Sequence, residues 1–185
     1  MRGQAPFVRL LRPRSCGCSI GAWPPVSTAW HHRLVAVTRG MRFLRECGVP
    51  FAEHRYEHRV KGAAYAAEAL GLEAAMVAKT LVAQLDDGFA FALVPGDREL
   101  SLRGLARAAG SRSASLASER DAQRLTGYQI GGISPFGSKT ALPVYAVADW
   151  LARERVALNG GGRGVILELA SADLARLLSP IAIAE

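Results

Sequence analysis

Two stretches of this sequence have residue types that could act on a carbonyl or phosphate oxygen. Lys79 begins the apolar run Lys79-Thr80-Leu81-Val82, and a partly enclosed ammonium there could stabilise developing negative charge. The same lysine could instead be solvated, with its stem lying on apolar surface. Residues 126–137 are dense in glycine, so their backbone could approach a ligand closely and present amides to an anion. The alternative is an ordinary glycine-rich bend between strands.

The usual catalytic signatures are missing from the sequence. The glycines of residues 160–164 lack the Lys-Ser/Thr that follows a phosphate-binding loop, and they do not have dinucleotide-binding spacing. Ser134 is not in a nucleophile elbow, because Phe136 occupies the place of the second glycine. Adjacent histidines do not easily converge on one ion, which argues against a zinc site in the N-terminal region. The potential zinc ligands there are Cys16, Cys18, His31 and His32.

The net charge of +7 is concentrated in the first forty residues. That segment has six arginines and no acidic residue, so residues 41–185 contain 17 basic and 16 acidic residues. Counterion release scales with the number of phosphates neutralised, and a body this balanced should not hold a long nucleic acid by charge alone. We interpret residues 1–40 as a disordered extension, with a targeting segment as the alternative, and residues 41–185 as the folded domain.

The composition also limits the class of protein. The sequence has no uninterrupted apolar run of the roughly 18 residues that a membrane span requires. Three cysteines leave one unpaired, which argues against a disulfide-stabilised secreted scaffold and fits a reducing compartment. We therefore expect a soluble, cytoplasmic protein with no membrane partner. We also expect Cys47, on the apolar face of a helix, to belong to the core.

Alternating helical and strand periods, with Gly or Pro at most element ends, predict an α/β fold of the α+β type. It should have a mixed, largely antiparallel sheet with surrounding helices. The Asp87-Gly88 pair predicts an antiparallel hairpin. The predicted strands are 51–58, 79–84, 89–94, 143–147, 156–158 and 165–169, followed by an apolar tail at 181–184. The predicted helices are 41–47, one burying Ala63, Ala66, Ala67 and Leu70 and ending at Gly71, two capped by Ser101 and Ser118, and Ser171–Leu178.

Several motifs in order along the chain support a family resemblance that extends from about Met41 to the C-terminus. The motifs are Tyr56-Glu57-His58, Lys79-Thr80-Leu81, Gly127-Tyr128, Gly131-Gly132-Ile133-Ser134-Pro135 with Gly137, Gly160-Gly161 and Arg163-Gly164. Together they resemble the YbaK family of aminoacyl-tRNA deacylases, relatives of the editing domain inserted in bacterial prolyl-tRNA synthetases.

The resemblance implies hydrolysis of the ester that joins a wrong amino acid, typically cysteine or alanine, to the 3′-terminal adenosine of tRNA for proline. It implies no metal and no cofactor. The implied partners are the acceptor end of the mischarged tRNA and a prolyl-tRNA synthetase or an elongation factor that presents it. The implied catalytic residue is Lys79. The implied substrate-binding residues are Tyr56, Thr80, Gly131, Gly132, Ser134, Asn159 and Gly160.

In cysteine-specific members the substrate's own thiol is thought to attack the ester, which would explain why no protein nucleophile is evident. Two positions depart from that pattern, because Asn159 replaces a serine and Ile166 replaces an aspartate. The loss of the carboxylate implies either compensation elsewhere or a different substrate. A noncatalytic protein that binds aminoacyl-tRNA is the alternative function that this loss leaves open. The secondary candidates are His58 as a proton relay, and Lys139 and Arg163 as RNA contacts.

Overall fold

The computed structural model describes residues 36–60 and 62–184. Short helices and strands alternate along this part of the chain. The helices are α1 (Arg39–Glu46), α2 (Ala63–Leu70), α3 (Leu102–Ala109), α4 (Glu119–Thr126), α5 (Ala148–Leu151) and α6 (Ser171–Leu178). The strands are β1 (Ala52–Arg55), β2 (Val77–Leu85), β3 (Gly88–Pro95), β4 (Ala114–Leu116), β5 (Val144–Val147), β6 (Arg155–Asn159), β7 (Val165–Ala170) and β8 (Ile181–Ile183).

The strands form one sheet in the order β1-β7-β6-β2-β3-β5-β8, with β4 paired to β2 outside this path. Antiparallel pairs join β1 to β7, β7 to β6, β2 to β3 and β2 to β4. Parallel pairs join β6 to β2, β3 to β5 and β5 to β8. The predicted fold class, a mixed and largely antiparallel sheet with surrounding helices, is therefore confirmed.

The predicted β2–β3 hairpin is present, but its two-residue turn is Asp86-Asp87 rather than Asp87-Gly88. Leu85 pairs with Gly88, so Asp86 and Asp87 form the turn. The Asp86 carboxylate accepts hydrogen bonds from the Arg112 amide at 2.8 Å, the Arg112 Nε at 3.0 Å and the Ser113 hydroxyl at 3.0 Å. These bonds tie the hairpin turn to the segment that leads into β4.

The helix caps follow the sequence signals. Ser101 and Ser118 accept hydrogen bonds from the backbone amides of Gly104 and Asp121, respectively, and so cap α3 and α4. Three helices end at a glycine in the left-handed region, where a residue without Cβ is favoured. These glycines are Gly71 after α2, Gly110 after α3 and Gly127 after α4. The predicted end of α2 at Gly71 is confirmed.

Several predicted boundaries were wrong. Helix α1 begins at Arg39 rather than Met41, because Thr38 is its N-cap and accepts the Met41 amide at 3.1 Å. Strand β1 ends at Arg55 rather than residue 58, since the Tyr56 amide donates to the Gly164 carbonyl outside the regular ladder. The elements that the sequence analysis missed are β4, α5 and β8, all of four residues or fewer.

Where β2, β6 and β7 adjoin, different clusters cover the two faces of the sheet. Because successive side chains of a strand point to opposite faces, Ala78 of β2 joins the larger cluster and Val77 joins the smaller one. The smaller cluster includes Ala66 and Ala67 of α2, whose small side chains let the helix lie close to Ile166 of the sheet. The larger cluster contains most of the largest fully buried side chains, among them Met41, Leu44, Phe91, Leu93, Leu105, Phe136 and Trp150.

Some predictions fall outside the described residues or remain open. The four candidate zinc ligands of the N-terminal region lie outside them, and the boundary between an extension and a domain at residue 41 stays a prediction. Cys47 is half-buried against the larger cluster, and burial raises the pKa of its thiol. Across the described ranges, no helix has both the length and the apolar character of a membrane span.

Asp86→Asn should lower the urea midpoint of unfolding at pH 7. The bonds from Arg112 and Ser113 lower the pKa of Asp86 from 3.8 to about 2 in the folded protein. A carboxylate whose pKa is lowered on folding stabilises the protein fully above its unfolded pKa and loses that contribution as pH falls through the folded pKa. The difference in midpoint between wild type and variant should therefore shrink between about pH 4 and pH 2. A difference that stays constant over this range would contradict the assignment.

Candidate active site

Lys79 and Asn159 are brought together by the parallel pairing of β2 with β6. Ala78 pairs with Leu158, so Lys79 and Asn159 occupy the next position on each neighbouring strand. Asn159 in turn pairs with Ile166 of β7. Residues at the same register on neighbouring strands point to the same face of a sheet. The three side chains therefore share the face that α2 covers, although they are far apart in sequence.

The Asn159 side chain joins two glycine-rich loops. Its Oδ1 accepts hydrogen bonds from the amides of Gly161 at 2.8 Å and Gly162 at 3.2 Å. Its Nδ2 donates to the Gly131 carbonyl at 3.1 Å. One carboxamide thus fixes the β6–β7 loop against the turn that contains Gly131.

The turn at Gly131 directs the Gly131 N–H away from Arg163, which bonds the other side of the same peptide. The Gly132 amide donates to the Gln129 carbonyl at 2.9 Å, and Gly131 has a φ of 86°, as expected for the third residue of a type II turn. The Ile130 carbonyl accepts from Arg163 Nε at 3.0 Å. A trans peptide carries its C=O and N–H on opposite sides, so the Gly131 N–H points away from Arg163. This amide is a candidate donor to an anionic oxygen.

Aromatic rings form a wall beside this turn. The Tyr56 ring stacks on His58, with centroids 6.0 Å apart, and meets Tyr65 edge to face at 6.1 Å. Burial, and next the neighbouring Tyr65, raise the pKa of Tyr56, which therefore stays a neutral hydrogen-bonding phenol. A Cβ on Gly131 would lie 3.1 Å from His58 Nε2, so the glycine lets the turn approach this wall closely.

The Lys79 ammonium is partly enclosed and lightly held. Its side chain is 23% exposed, and Nζ lies 3.4 Å from Oε1 of Glu99, whose side chain is 97% exposed. An ion pair with so exposed a partner contributes little, because water screens it and the carboxylate is free to move. Lys79 is therefore available to an incoming anionic or carbonyl oxygen. We call the group formed by Tyr56, Lys79, Gly131, Asn159 and Ile166 the Lys79 site.

Three predicted substrate-binding residues are placed differently. Thr80 follows Lys79 on β2 and therefore points to the opposite face, where its Oγ1 is buried without a hydrogen-bond partner among the described residues. Ser134 is fully buried, and its Oγ accepts the Phe136 amide at 3.2 Å. Gly160 is buried and accepts a hydrogen bond from the Thr38 hydroxyl. These bonds indicate that Ser134 and Gly160 support the loops. Direct substrate contact by Thr80, Ser134 and Gly160 stays a prediction.

The basic candidates lie near the same loops. Arg163 is exposed beyond its bond to Ile130, and Lys139 is exposed, with its amide donating to the Thr126 carbonyl at 3.0 Å. The Thr126 carbonyl also accepts from Arg39 Nη2 at 2.9 Å. The sequence analysis missed Arg39 because it assigned residues 1–40 to the extension. Thr38, a favoured N-cap residue, is the signal that would have placed Arg39 in the first helix.

The Glu168 carboxylate lies on the α2-covered face but is already bonded to other side chains. Glu168 follows Ile166 by two residues on β7 and bonds both Arg155 and His54, the latter at 2.8 Å. Burial alone would raise the pKa of Glu168, yet these two bonds outweigh it and the pKa is lowered. Glu168 is therefore a paired carboxylate. Among residues 36–60 and 62–184, no three His, Cys, Asp or Glu side chains gather as a metal site would require.

Comparisons with known proteins agree with this architecture. Residues 57–177 match the aminoacyl-tRNA editing domain model. EbsC of Enterococcus faecalis, described as a Cys-tRNA(Pro)/Cys-tRNA(Cys) deacylase, is 33% identical over 138 residues, which cover 72% of this chain and 83% of the relative. The proline–tRNA ligase of Thermosipho africanus is 35% identical over 98 residues, which cover 53% of this chain and 17% of the ligase.

A solved structure described as a trans-editing enzyme for prolyl tRNA synthetase has a TM-score of 0.69 and 28% identity, and the match covers 78% of this chain and 92% of that one. The fold and these matches define an aminoacyl-tRNA deacylase, a class of ester hydrolase. The chain belongs to the aminoacyl-tRNA editing domain family. The resemblance inferred from the motifs is confirmed.

Asn159→Ala should destabilise the protein, because it leaves the Gly161 and Gly162 amides and the Gly131 carbonyl without their partner. The expected loss in the free energy of unfolding is about 1–3 kcal/mol, measured by urea denaturation. Asn159→Asp keeps an oxygen for the two amides and loses only the donor to Gly131, so its loss should be smaller. A larger loss for Asp than for Ala would show that the amide bonds are not the stabilising ones.

Proposed function

We propose that the chain hydrolyses mischarged tRNA in trans, removing cysteine or alanine from tRNA for proline. The descriptions of EbsC and of the trans-editing structure support this substrate class, as does the similarity to proline–tRNA ligases. The observation on which the proposal depends is the position of Lys79, one strand from Asn159, whose side chain holds the Gly131 turn. We propose that this cation and the Gly131 amide act on one substrate oxygen.

Lys79 and the Gly131 amide stabilise the oxyanion of the reaction. Attack on the ester carbonyl carbon places a negative charge on its oxygen, and a preorganised donor at that oxygen is worth about 3 kcal/mol. Breaking the C–O bond then releases the tRNA, whose 3′ oxygen takes up a proton. His58, next to Tyr56 and Gly131, is the residue that we propose to relay this proton.

The nucleophile comes from the substrate or from water. With cysteine, the thiol loses its proton and its sulfur attacks the ester carbonyl, giving a cyclic thioester and free tRNA, and water then opens the thioester. With alanine, a water molecule attacks directly. Neither route needs a protein nucleophile. This is consistent with the buried and hydrogen-bonded state of Ser134.

Ile166 places an alkyl group in the Lys79 site where the cysteine-specific pattern has a carboxylate. This side chain is buried with Ala66, Ala67 and Ala157, and the neighbouring Glu168 is already paired with Arg155 and His54. The compensation that loss of the aspartate called for is therefore not supplied by Glu168. We infer that the site accepts a small side chain by shape and does not grip the substrate's ammonium with a carboxylate at this position. A prolyl-tRNA synthetase or an elongation factor is proposed to present the tRNA.

Lys79→Met should abolish most of the activity while preserving the fold. Methionine keeps the apolar stem but removes the ammonium, so the rate constant for deacylation of cysteinyl-tRNA for proline should fall about 100-fold or more. The measurement is release of labelled amino acid in a single turnover with enzyme in excess.

Glu99→Gln serves as the matched control for Lys79→Met, because it removes the ion-pair partner and leaves the ammonium in place. Its rate should stay within about threefold of wild type, in keeping with the small energy of an exposed pair. Equal rates for Lys79→Met and wild type would eliminate the proposed role of Lys79. No release by wild type, with tRNA still bound, would favour the noncatalytic binding function.

Substrate assistance predicts an order among amino acids on the same tRNA. Cysteine has an internal nucleophile, whereas alanine lacks it and serine offers a much weaker hydroxyl. Cysteinyl-tRNA should therefore be deacylated at least tenfold faster than the seryl form, although the two side chains differ in one atom. The measurement is the ratio of single-turnover rates at pH 7 and 8. A seryl rate equal to the cysteinyl rate would show that water is the nucleophile for both.

A further inference from the structure

A cleft of about 230 Å³ adjoins the Lys79 site. We call it the arginine cleft. Its lining residues are Arg39, Gly127, Tyr128, Gln129, Gly132, Gly161, Gly162 and Arg163. None of these residues is acidic. These residues place the cleft between the start of α1, the loop that follows α4 and the β6–β7 loop.

The cleft and the Lys79 site share a wall. Gly132 lines the cleft, while Gly131, the preceding residue, faces His58 and is bonded by Asn159. The Asn159 Oδ1 also accepts the amides of Gly161 and Gly162, which line the cleft. A ligand that passes from one site to the other therefore crosses a single turn of backbone.

Two arginines are preorganised at the cleft. Arg39 donates from Nη2 to the Thr126 carbonyl at 2.9 Å, and its guanidinium lies 4.3 Å from the centroid of the Tyr128 ring. Arg163 is held by its Nε bond to Ile130. Each bond uses one of five guanidinium N–H groups, so both side chains keep donors in a fixed fork, which suits phosphate oxygens. Holding the fork in place beforehand reduces the entropy lost on binding.

The positive charge of the cleft is not neutralised by the protein. Within the described part of the chain, neither Arg39 nor Arg163 forms an ion pair with a carboxylate, in contrast to Arg124, Arg153 and Arg176. Lys139 is near Arg39, because its amide and Arg39 Nη2 bond the same Thr126 carbonyl. A cationic cleft beside a glycine turn, whose backbone a ligand can approach closely, is suited to a phosphodiester.

We propose that the arginine cleft binds a phosphodiester at the 3′ end of the RNA, next to the terminal adenosine whose ester enters the Lys79 site. This inference rests on the proposed function. The terminal ribose carries the ester and is joined through its 5′ phosphate to the rest of the strand. When the ester is bound in the Lys79 site, that phosphate must therefore lie near the rim of the site. A local grip of this kind also explains how a body of nearly balanced charge, 18 basic and 16 acidic residues from position 39, can select an RNA end.

The test compares two substrates on the full chain: a cysteinylated minihelix with the acceptor stem of tRNA for proline, and 3′-O-cysteinyl-adenosine, which has no phosphate. Arg163→Gln and Arg39→Gln should each lower kcat/KM for the minihelix about tenfold relative to kcat/KM for the adenosine ester. The salt dependence of minihelix binding should become shallower by about 0.7 in the log–log slope for each lost phosphate contact.

Matched controls remove a positive charge elsewhere. Arg103 and Arg107 lie on α3. Arg103→Gln and Arg107→Gln should leave unchanged both the minihelix-to-adenosine ratio of kcat/KM and the salt slope. Arg163 is exposed, so its variant should keep the fold even if Arg39→Gln, which loses the contacts to Thr126 and Tyr128, does not.

Other outcomes overturn the proposal in separable ways. Equal losses on both substrates would assign the arginines a structural role. Inhibition by inorganic phosphate with no change in the minihelix-to-adenosine ratio would reduce the cleft to a site for small anions. If wild type hydrolysed neither substrate, the proposed function would fail. Binding of the minihelix without an amino acid would then test whether the arginine cleft binds RNA. Weaker binding by Arg163→Gln would support it, and unchanged binding would exclude it.

Discussion

The site depends on one side chain that satisfies three backbone groups. Asn159 is the last residue of β6, and the neighbouring strands fix its position. Its carboxamide accepts two amides of the β6–β7 loop and donates to the Gly131 carbonyl. Because these groups belong to two loops, a shift in either one costs hydrogen bonds in the other. The rigid sheet thereby sets the position of the turn that contains Gly131.

The glycines of the site serve chiefly to bring backbone segments together. The sequence pattern predicted a backbone that a ligand could approach, but the closest contacts are within the protein. A Cβ on Gly161 would lie 2.6 Å from Tyr128 Cε1, and one on Gly164 would lie 2.4 Å from the Tyr56 carbonyl oxygen. A Cβ on Gly40 would lie 2.4 Å from the Gly160 oxygen. These glycines therefore allow three loops to pack at distances that a side chain would forbid.

Local chemistry made most elements predictable, and long-range pairing did not. The caps at Ser101 and Ser118 and the Asp86-Asp87 turn depend on residues a few positions apart, so their signals are visible in sequence. The pairing of β2 with β6 joins segments some 80 positions apart, and no local pattern encodes that strand order. Lys79 was identifiable as a candidate, while its alignment with Asn159 was not. Thr80 lies on the face opposite Lys79, since strand alternation sends adjacent residues to opposite faces.

The distribution of charge divides the work between the two neighbouring sites. The Lys79 site offers one ammonium and one backbone amide, which suit an oxyanion, and it has the alkyl group of Ile166 in place of a carboxylate. An apolar site discriminates weakly among small side chains, because a methylene group or an added hydroxyl changes binding by only about 1–3 kcal/mol. Chemistry can add to this discrimination when the substrate supplies a thiol. Under the proposed function, recognition of the RNA is assigned to cations outside the reacting site, and Arg39 and Arg163 lie one turn of backbone away from it.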